Sequence, residues 1–388
     1  MMLKRSVRGR VHPFIVMDVL KEANRREAAG EDILHLEVGQ PSTSAPAAVI
    51  AVAQAALGSD KLGYTEALGI SPLRARIAQY YSERHDIDLA ADRVVVTTGS
   101  SGGFMLAFLS AFDAGDRVAL ADPGYPAYRN ILSAVGIEPV SIQTTLAERY
   151  QPTPELMERT RREFGQIDGL IVASPANPTG TMLRATEMKE LTSYCDDNGI
   201  RLISDEIYHG ITHGGVAETA LNFTDNAFIV NSFSKYYSMT GWRVGWMVIP
   251  EDLHRSVECL AQNLFISVPT LSQRAACAAF DCTEELDKNV ARYSANRDLL
   301  LRELPKAGFD RLSPADGAFY IYAEVDHLTE DSEALCRQLL AETGVALAPG
   351  TDFDRDRGRA TIRFSFAGDT PIIAAAAGRL QTWWTSVS

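Results

Sequence analysis

Two basic residues eight apart, Lys235 and Arg243, stand in residues 232–246, which read SFSKYYSMTGWRVGW. The run Phe228-Ile229-Val230-Asn231 before them reads as a buried strand, so the lysine falls just past a strand end. Burial penalises a lysine's charged form, lowers its pKa and turns the amine into a nucleophile or a base. The alternative is a loop lysine that snorkels to water. Ser232 and Ser234 flank the lysine on its N-terminal side. Asp205 ends the apolar run Leu202-Ile203 and is either a helix N-cap or the partner of a buried cation. Gly99-Ser100-Ser101-Gly102-Gly103 follows another strand-like run, Val94 to Thr98. Free backbone N–H groups and two hydroxyls there offer an anion site; a serine-capped tight turn is the other reading. No G-K-[ST] follows, so it is not a Walker A loop. Asn177, between Pro175 and Pro178, is a turn former or a held amide, and Tyr125, between Pro123 and Pro126, packs or offers a platform to a flat ring. Arg363 in Thr361-Ile362-Arg363-Phe364-Ser365 is an edge-strand arginine or a bidentate receptor for a carboxylate.

Something must bring these residues together, and the order of elements says what. Strands are expected at 94–98, 117–120, 139–143, 169–173, 200–204, 228–233 and 245–249. Helices are expected at 104–112, up to 135, at 154–163 and up to 198. Strands that alternate with helices indicate an α/β domain with a mostly parallel sheet, which binds ligands beyond the carboxyl ends of its strands. Ser100, Ser101, Tyr125, Asn177, Asp205 and Lys235 all follow a strand. Upstream, residues 14–29 read as a helix and 33–38 as a strand broken at Gly39-Gln40-Pro41. A helix covers 46–57, and another runs from Ser71, as N-cap, and Pro72 to about 84. Past residue 283 the pattern becomes α+β: a helix at 284–306, a hairpin-like segment through 318–322, a helix at 331–343, strands at 345–348 and 359–366, and a closing helix from 370. The expected division is a large domain over 46–282 and a smaller one from 1–45 with 283–388.

Composition narrows the partners. The 388 residues carry 37 Lys and Arg against 50 Asp and Glu, a net charge of −13. A nucleic acid as main partner needs a basic face, so that class is excluded. Cysteines at 195, 259, 277, 282 and 336 form no C-x-x-C pair, and no H-E-x-x-H occurs, so neither a disulfide framework nor a metal site is expected. The basic N-terminus lacks an uninterrupted apolar run and no stretch reaches 18 apolar residues, so neither a signal peptide nor a membrane span is expected; a cytoplasmic protein is.

Taken together, S-F-S-K with an arginine eight residues on, S-P-A-N-P-T-G at 174–180 and S-D-E-I-Y at 204–208 resemble the class I/II aminotransferases, fold type I enzymes dependent on pyridoxal 5′-phosphate. The resemblance runs from Gly39 to Arg363. It implies a large domain with a mostly parallel mixed sheet between helices, plus a smaller α+β domain. It implies that Lys235 forms a Schiff base with the cofactor and carries the substrate α-proton. Ser100, Ser101, Ser232, Ser234 and Arg243 would bind the phosphate, and Tyr125 would stack on the pyridine ring. Asp205 would pair with the ring nitrogen, with Asn177 and Tyr208 on the phenolic oxygen. Arg363 would clamp the substrate carboxylate, with Gly39 and Asn177 beside it. Tyr64 would reach the phosphate of a neighbouring subunit in a homodimer. The implied reaction moves the α-amino group of an L-amino acid to a 2-oxo acid. No basic residue stands near Ser101-Gly102-Gly103 to receive an acidic side chain, which leaves aspartate/2-oxoglutarate and neutral or aromatic substrates open. A lyase or decarboxylase on the same fold would keep the cofactor residues but lose or move the Arg363 clamp. A cofactor-binding regulator would need an added DNA-binding domain, for which the chain has neither length nor charge.

Overall fold

Short strands that are apolar throughout need cover on both faces, and a parallel sheet between helices provides it. In the computed structural model, which describes residues 3–387, the strands Val94–Thr97, Phe228–Ser232 and Gly245–Val248 are buried at every position. They join a seven-stranded sheet. Its spatial order is Val94–Thr97, Gly245–Val248, Phe228–Ser232, Arg201–Asp205, Gly169–Ala173, Arg117–Asp122, Glu138–Gln143. Only Gly245–Val248 runs antiparallel to its neighbours. The strands that end at Thr97, Ala173, Asp205 and Ser232 therefore open on the same edge, as the α/β pattern predicts. Apolar clusters cover the two faces; Phe104, Phe108 and Met247 belong to one, Ile229, Phe233 and Trp246 to the other.

A second, four-stranded antiparallel sheet runs in the order Ala348–Pro349, Thr361–Ser365, Tyr320–Glu324, Arg311–Leu312. Thr361–Ser365 is an inner strand, buried throughout, and Arg363 pairs with Tyr322 on one side and Ala348 on the other. Arg363 is thus no edge-strand arginine, and its charge lies inside the protein.

Several local expectations give way to tertiary packing. The 99–103 turn is absent: the helix Gly99–Ala111 begins directly at the strand end. Glycine and serine are poor helix formers, so pattern alone delays the start to Phe104. Close packing is what recruits them, since a Cβ on Gly103 would come within 3.3 Å of Val230 Cγ1. Ser71 is the first helical residue and not the N-cap of Ser71–His85; Ile70 takes the cap position and its N–H is met by Gln273 Oε1 at 2.8 Å. The 33–38 strand shrinks to Leu34–His35, which pairs with Val345–Ala346, and the chain then bends at Gly39 toward the sheet edge. The 345–348 strand splits into Val345–Ala346 and Ala348–Pro349, which serve different sheets. Helices His254–Leu264 and Thr270–Ala279 fill residues 250–282, to which the sequence reading assigns nothing.

Candidate active site

The chain leaves the strand Phe228–Ser232 and places Lys235 half-buried at the sheet edge, its Nζ donating to the Gly39 carbonyl at 2.6 Å. Burial lowers its pKa to about 8; the positive charges of Arg363 and Arg243 push the same way, and Asp205 opposes them. An amine so placed is readily neutral and can take up a proton or attack a carbon. Asp205 ends the adjacent strand and is buried. Burial raises its pKa to about 6, against the pull of hydrogen bonds from the Tyr128 hydroxyl and the Ile207 N–H, the latter at 3.0 Å. No helix follows Asp205, so it is no helix N-cap; it accepts the Ile207 N–H within its own turn, and its carboxyl lines the cavity.

A cluster of donors lies at the start of the helix Gly99–Ala111. Ser100 and Ser101 are in its first turn, where backbone N–H groups are free and the dipole favours an anion. Arg243 adopts a left-handed conformation (φ 51°) and gives one N–H to the Thr240 carbonyl at 3.1 Å. A Cβ on Gly99 would overlap the Arg243 guanidinium, so this close approach requires glycine. Gly245 is needed as well, because a Cβ there would meet Asn231 O at 2.8 Å and Ser100 N at 3.1 Å. Ser234 and Thr240 line the same end. Ser232 does not: its hydroxyl lies 3.2 Å from the Val244 carbonyl and 2.8 Å from Ser234 Oγ, where it fixes the Ser234 side chain.

At the opposite end Arg363 is buried. Its Nη1 donates to Asn177 Oδ1 at 2.8 Å and its Nη2 to the Glu37 carbonyl, while Nε has no partner among the described residues. The guanidinium lies 4.3 Å from the centre of the Tyr320 ring and 4.7 Å from that of Phe353, contacts that orient a cation. Tyr208 and Tyr320 share a hydrogen bond of 2.8 Å between their hydroxyls. Tyr125 packs edge-on against Tyr128 and Phe14.

These side chains surround one cavity of about 280 Å³. Of the residues singled out from sequence, it brings together Gly39, Ser100, Ser101, Tyr125, Asn177, Asp205, Tyr208, Ser234, Lys235, Arg243 and Arg363. Ser232 stands behind the wall, and Tyr64, 84% exposed, is outside it. The sequence reading misses Tyr128, Tyr320 and the apolar wall of Phe14, at the N-cap of the helix Ile15–Ala28, with Val16, Met17 and Leu20 from the helix itself. Proximity of Tyr128 to Tyr125 was the only available signal; nothing in the sequence sets Tyr320 apart from Tyr322. Among the described residues no His/Cys/Asp/Glu group is placed to hold a metal, and no helix is long and apolar enough to cross a membrane.

The profile of the family described as aminotransferase class I and II matches residues 31–380. A valine–pyruvate aminotransferase of Mycobacterium tuberculosis is 51% identical, with 98% of each chain covered. An aspartate aminotransferase of Sulfolobus acidocaldarius is 28% identical, over 95% of this chain and 93% of the other. The solved structure of an aminotransferase from Mycobacterium tuberculosis superposes with a TM-score of 0.96 at 51% identity, covering 99% of this chain and all of that one. The Thermus thermophilus aspartate aminotransferase with maleate superposes with a TM-score of 0.92 at 26% identity, over 98% of this chain and all of that one. An apolar-stranded sheet edge with a half-buried lysine, a buried carboxylate and a buried arginine thus has a family to go with it: the chain belongs to the class I and II aminotransferases, transferases of amino acid metabolism that move an amino group from an amino acid to a 2-oxo acid.

Proposed function

We propose that this aminotransferase works with pyridoxal phosphate held at Lys235 and prefers amino acids with neutral, aliphatic side chains. The residues fit the cofactor. Ser100, Ser101, Ser234 and Arg243 suit its phosphate, and among the described residues no carboxylate pairs with Arg243. A phosphate at the helix start would gain about 1 kcal/mol from the dipole alone. Asp205 suits the ring nitrogen, Tyr125 the ring face, and Asn177 and Tyr208 the ring oxygen. The cofactor, when bound, supplies the electron sink that loosens the α-hydrogen of the amino acid joined to it. The chain does the rest. Arg363, whose Nε is unspent and whose other nitrogens are aimed by Asn177 and Glu37, receives the substrate carboxylate. Lys235, neutral in an accessible pH range, takes the α-proton and returns it. Asp205 stays charged when a cation faces it and keeps the ring nitrogen protonated.

One observation carries the substrate preference: on the side away from the cluster at Gly99, Phe14, Val16, Met17, Leu20 and Val38 form an apolar wall. Among the described residues, Lys235, Arg243 and Arg363 are the only Lys or Arg residues on the cavity, and each already has a task. A carboxylate on the substrate side chain would lose water there and find no cation. The name of the Mycobacterium tuberculosis relative, a valine–pyruvate aminotransferase, points the same way. The test is a single-turnover panel in which each amino acid is mixed with loaded enzyme in the absence of a 2-oxo acid. Valine and alanine are expected to react about 10²-fold faster than aspartate in kcat/KM terms. Equal rates for aspartate would overturn the preference, and continued turnover without a 2-oxo acid would restore the lyase reading.

We further infer a homodimer in which Tyr64 serves the neighbouring cavity. Its near-complete exposure on a loop held by Thr270 Oγ1 donating to the Gly63 carbonyl at 2.6 Å supports this. A monomer in sedimentation at micromolar concentration would refute it. We assign residues 46–282 to the larger domain and 1–45 with 283–388 to the smaller, a division supported by the seven-stranded sheet lying within 94–248, the four-stranded sheet within 311–365 and the pairing of Leu34–His35 with Val345–Ala346. Independent melting of the two parts in calorimetry would locate that boundary, and one indivisible transition would count against it. Five free cysteines support a cytoplasmic location, which recovery of the protein from an oxidising compartment would contradict.

A further inference from the structure

We propose that Tyr320 is a positioning residue that commits the Tyr208 hydroxyl proton to the ring oxygen of the cofactor. The inference rests on the pyridoxal phosphate reading above and concerns a residue outside the set that the sequence motifs point to.

Tyr208 and Tyr320 are both buried, and their hydroxyl oxygens lie 2.8 Å apart. Each hydroxyl carries one proton, and a single hydrogen bond uses one of the two. Among the described residues neither hydroxyl has another partner, so one proton is left for whatever occupies the cavity that both rings line. A buried donor without an acceptor is costly, so the occupant gains by accepting it.

The surroundings decide which proton is spent inside the protein. The Arg363 guanidinium lies on the face of the Tyr320 ring, 4.3 Å from its centre. A cation there stabilises negative charge on the phenol and makes Tyr320 the more acidic hydroxyl, hence the better donor. The Arg363 charge also reaches Tyr208, but the cation over the Tyr208 ring is the Lys235 amine, at the longer distance of 5.9 Å. The Tyr320 hydroxyl is also fixed in space: a Cβ on Gly39 would overlap it, so the turn at Gly39 is shaped around that oxygen. Tyr320 therefore donates, Tyr208 accepts, and the Tyr208 proton points to the cavity. A donor that itself accepts a hydrogen bond is strengthened by it. The same ring that carries Arg363 thus sharpens the donor on the cofactor side.

The readout is the pH titration of the visible absorbance of the cofactor on Lys235. A donor on the ring oxygen competes for the proton shared with the Lys235 nitrogen, so a weaker donor raises the pH at which that proton leaves. Tyr320→Phe keeps the ring and its Arg363 contact and removes only the hydroxyl. The titration midpoint is expected to rise by roughly half a pH unit, as befits a loss of ~10–30% of one charge-assisted bond. Tyr208→Phe should raise it by roughly one to two units. In Tyr208→Phe, adding Tyr320→Phe should shift nothing further, because the acceptor through which Tyr320 acts is gone. An unchanged midpoint in Tyr320→Phe, or an equal shift in the two backgrounds, overturns the proposal while leaving the cofactor assignment intact. If wild-type protein develops no titrating absorbance with pyridoxal phosphate, the cofactor assignment itself falls, and this proposal with it.

Discussion

Lys235→Ala is expected to lower kcat by about 10⁴-fold or more, because in the proposed function one side chain supplies both the attachment point and the proton carrier. The donor cluster at Ser100, Ser101, Ser234 and Arg243, proposed to hold the phosphate, does not depend on Lys235, so equilibrium dialysis should still find pyridoxal phosphate bound without a covalent link. The variant should fold at least as well as the parent, since a lysine whose pKa is lowered to about 8 by burial is held at a cost when charged. The contrast between lost turnover and retained cofactor is the signature to look for. Turnover near the parent rate would remove Lys235 from the mechanism.

The second large effect is at Asp205, where activity and stability should move in opposite directions. Asp205→Asn keeps the shape: its Oδ1 can still accept from the Ile207 N–H while its Nδ2 donates to the Tyr128 hydroxyl oxygen, but it carries no charge to hold the ring nitrogen protonated. The expected loss in kcat is about 10³-fold, comparable to removing a dominant electrostatic contact from an active site. The cofactor-free protein should respond the other way. Burial raises the Asp205 pKa to about 6 from an ordinary 3.8, so the folded state prefers the protonated acid. That contribution is complete below about pH 4 and is lost as pH rises through about 6. Relative to the parent, the cofactor-free variant should therefore gain stability between about pH 4 and 6 and hold the gain at neutral pH. Those two values bound the gain at about 3 kcal/mol. Adding pyridoxal phosphate should reverse the order, because only the parent has a buried charge for the ring nitrogen to meet. Thermal unfolding with and without cofactor from pH 4 to 8 checks both halves. A variant less stable than the parent in the cofactor-free state at pH 7 would mean that Asp205 already has a cation partner.

Much of the site was legible because the physics that exposes it is local. A lysine just past an apolar strand, serines after a strand and an aspartate at a strand end each conflict with ordinary burial rules, and in an α/β sheet all three fall on one edge. Arg363 was legible as a residue but not as a location. One strand of five residues cannot say whether it lies at an edge, and the flanking pairs Tyr322 and Ala348 that bury it come from segments about 15 to 40 residues away. The helix at Gly99 was misplaced by five residues for a related reason. Propensity disfavours glycine and serine, whereas the approach to Val230, Arg243 and Gly245 demands small residues.

What the sequence determined by itself was the inventory of chemistry: an amine just past a strand end, a carboxylate closing an apolar strand, hydroxyls after another strand and a guanidinium, ordered along alternating strands and helices. Residue type sets charge and proton affinity, and period sets which end of a strand a residue occupies. The tertiary structure alone decided the partnerships. It laid the helix Ile15–Ala28 along the cavity as an apolar wall, turned Ser232 inward to hold Ser234, and set Tyr320 between Arg363 and Tyr208. The Tyr208–Tyr320 contact joins residues 112 positions apart, where neither spacing nor propensity carries information and only tertiary packing brings the side chains within reach.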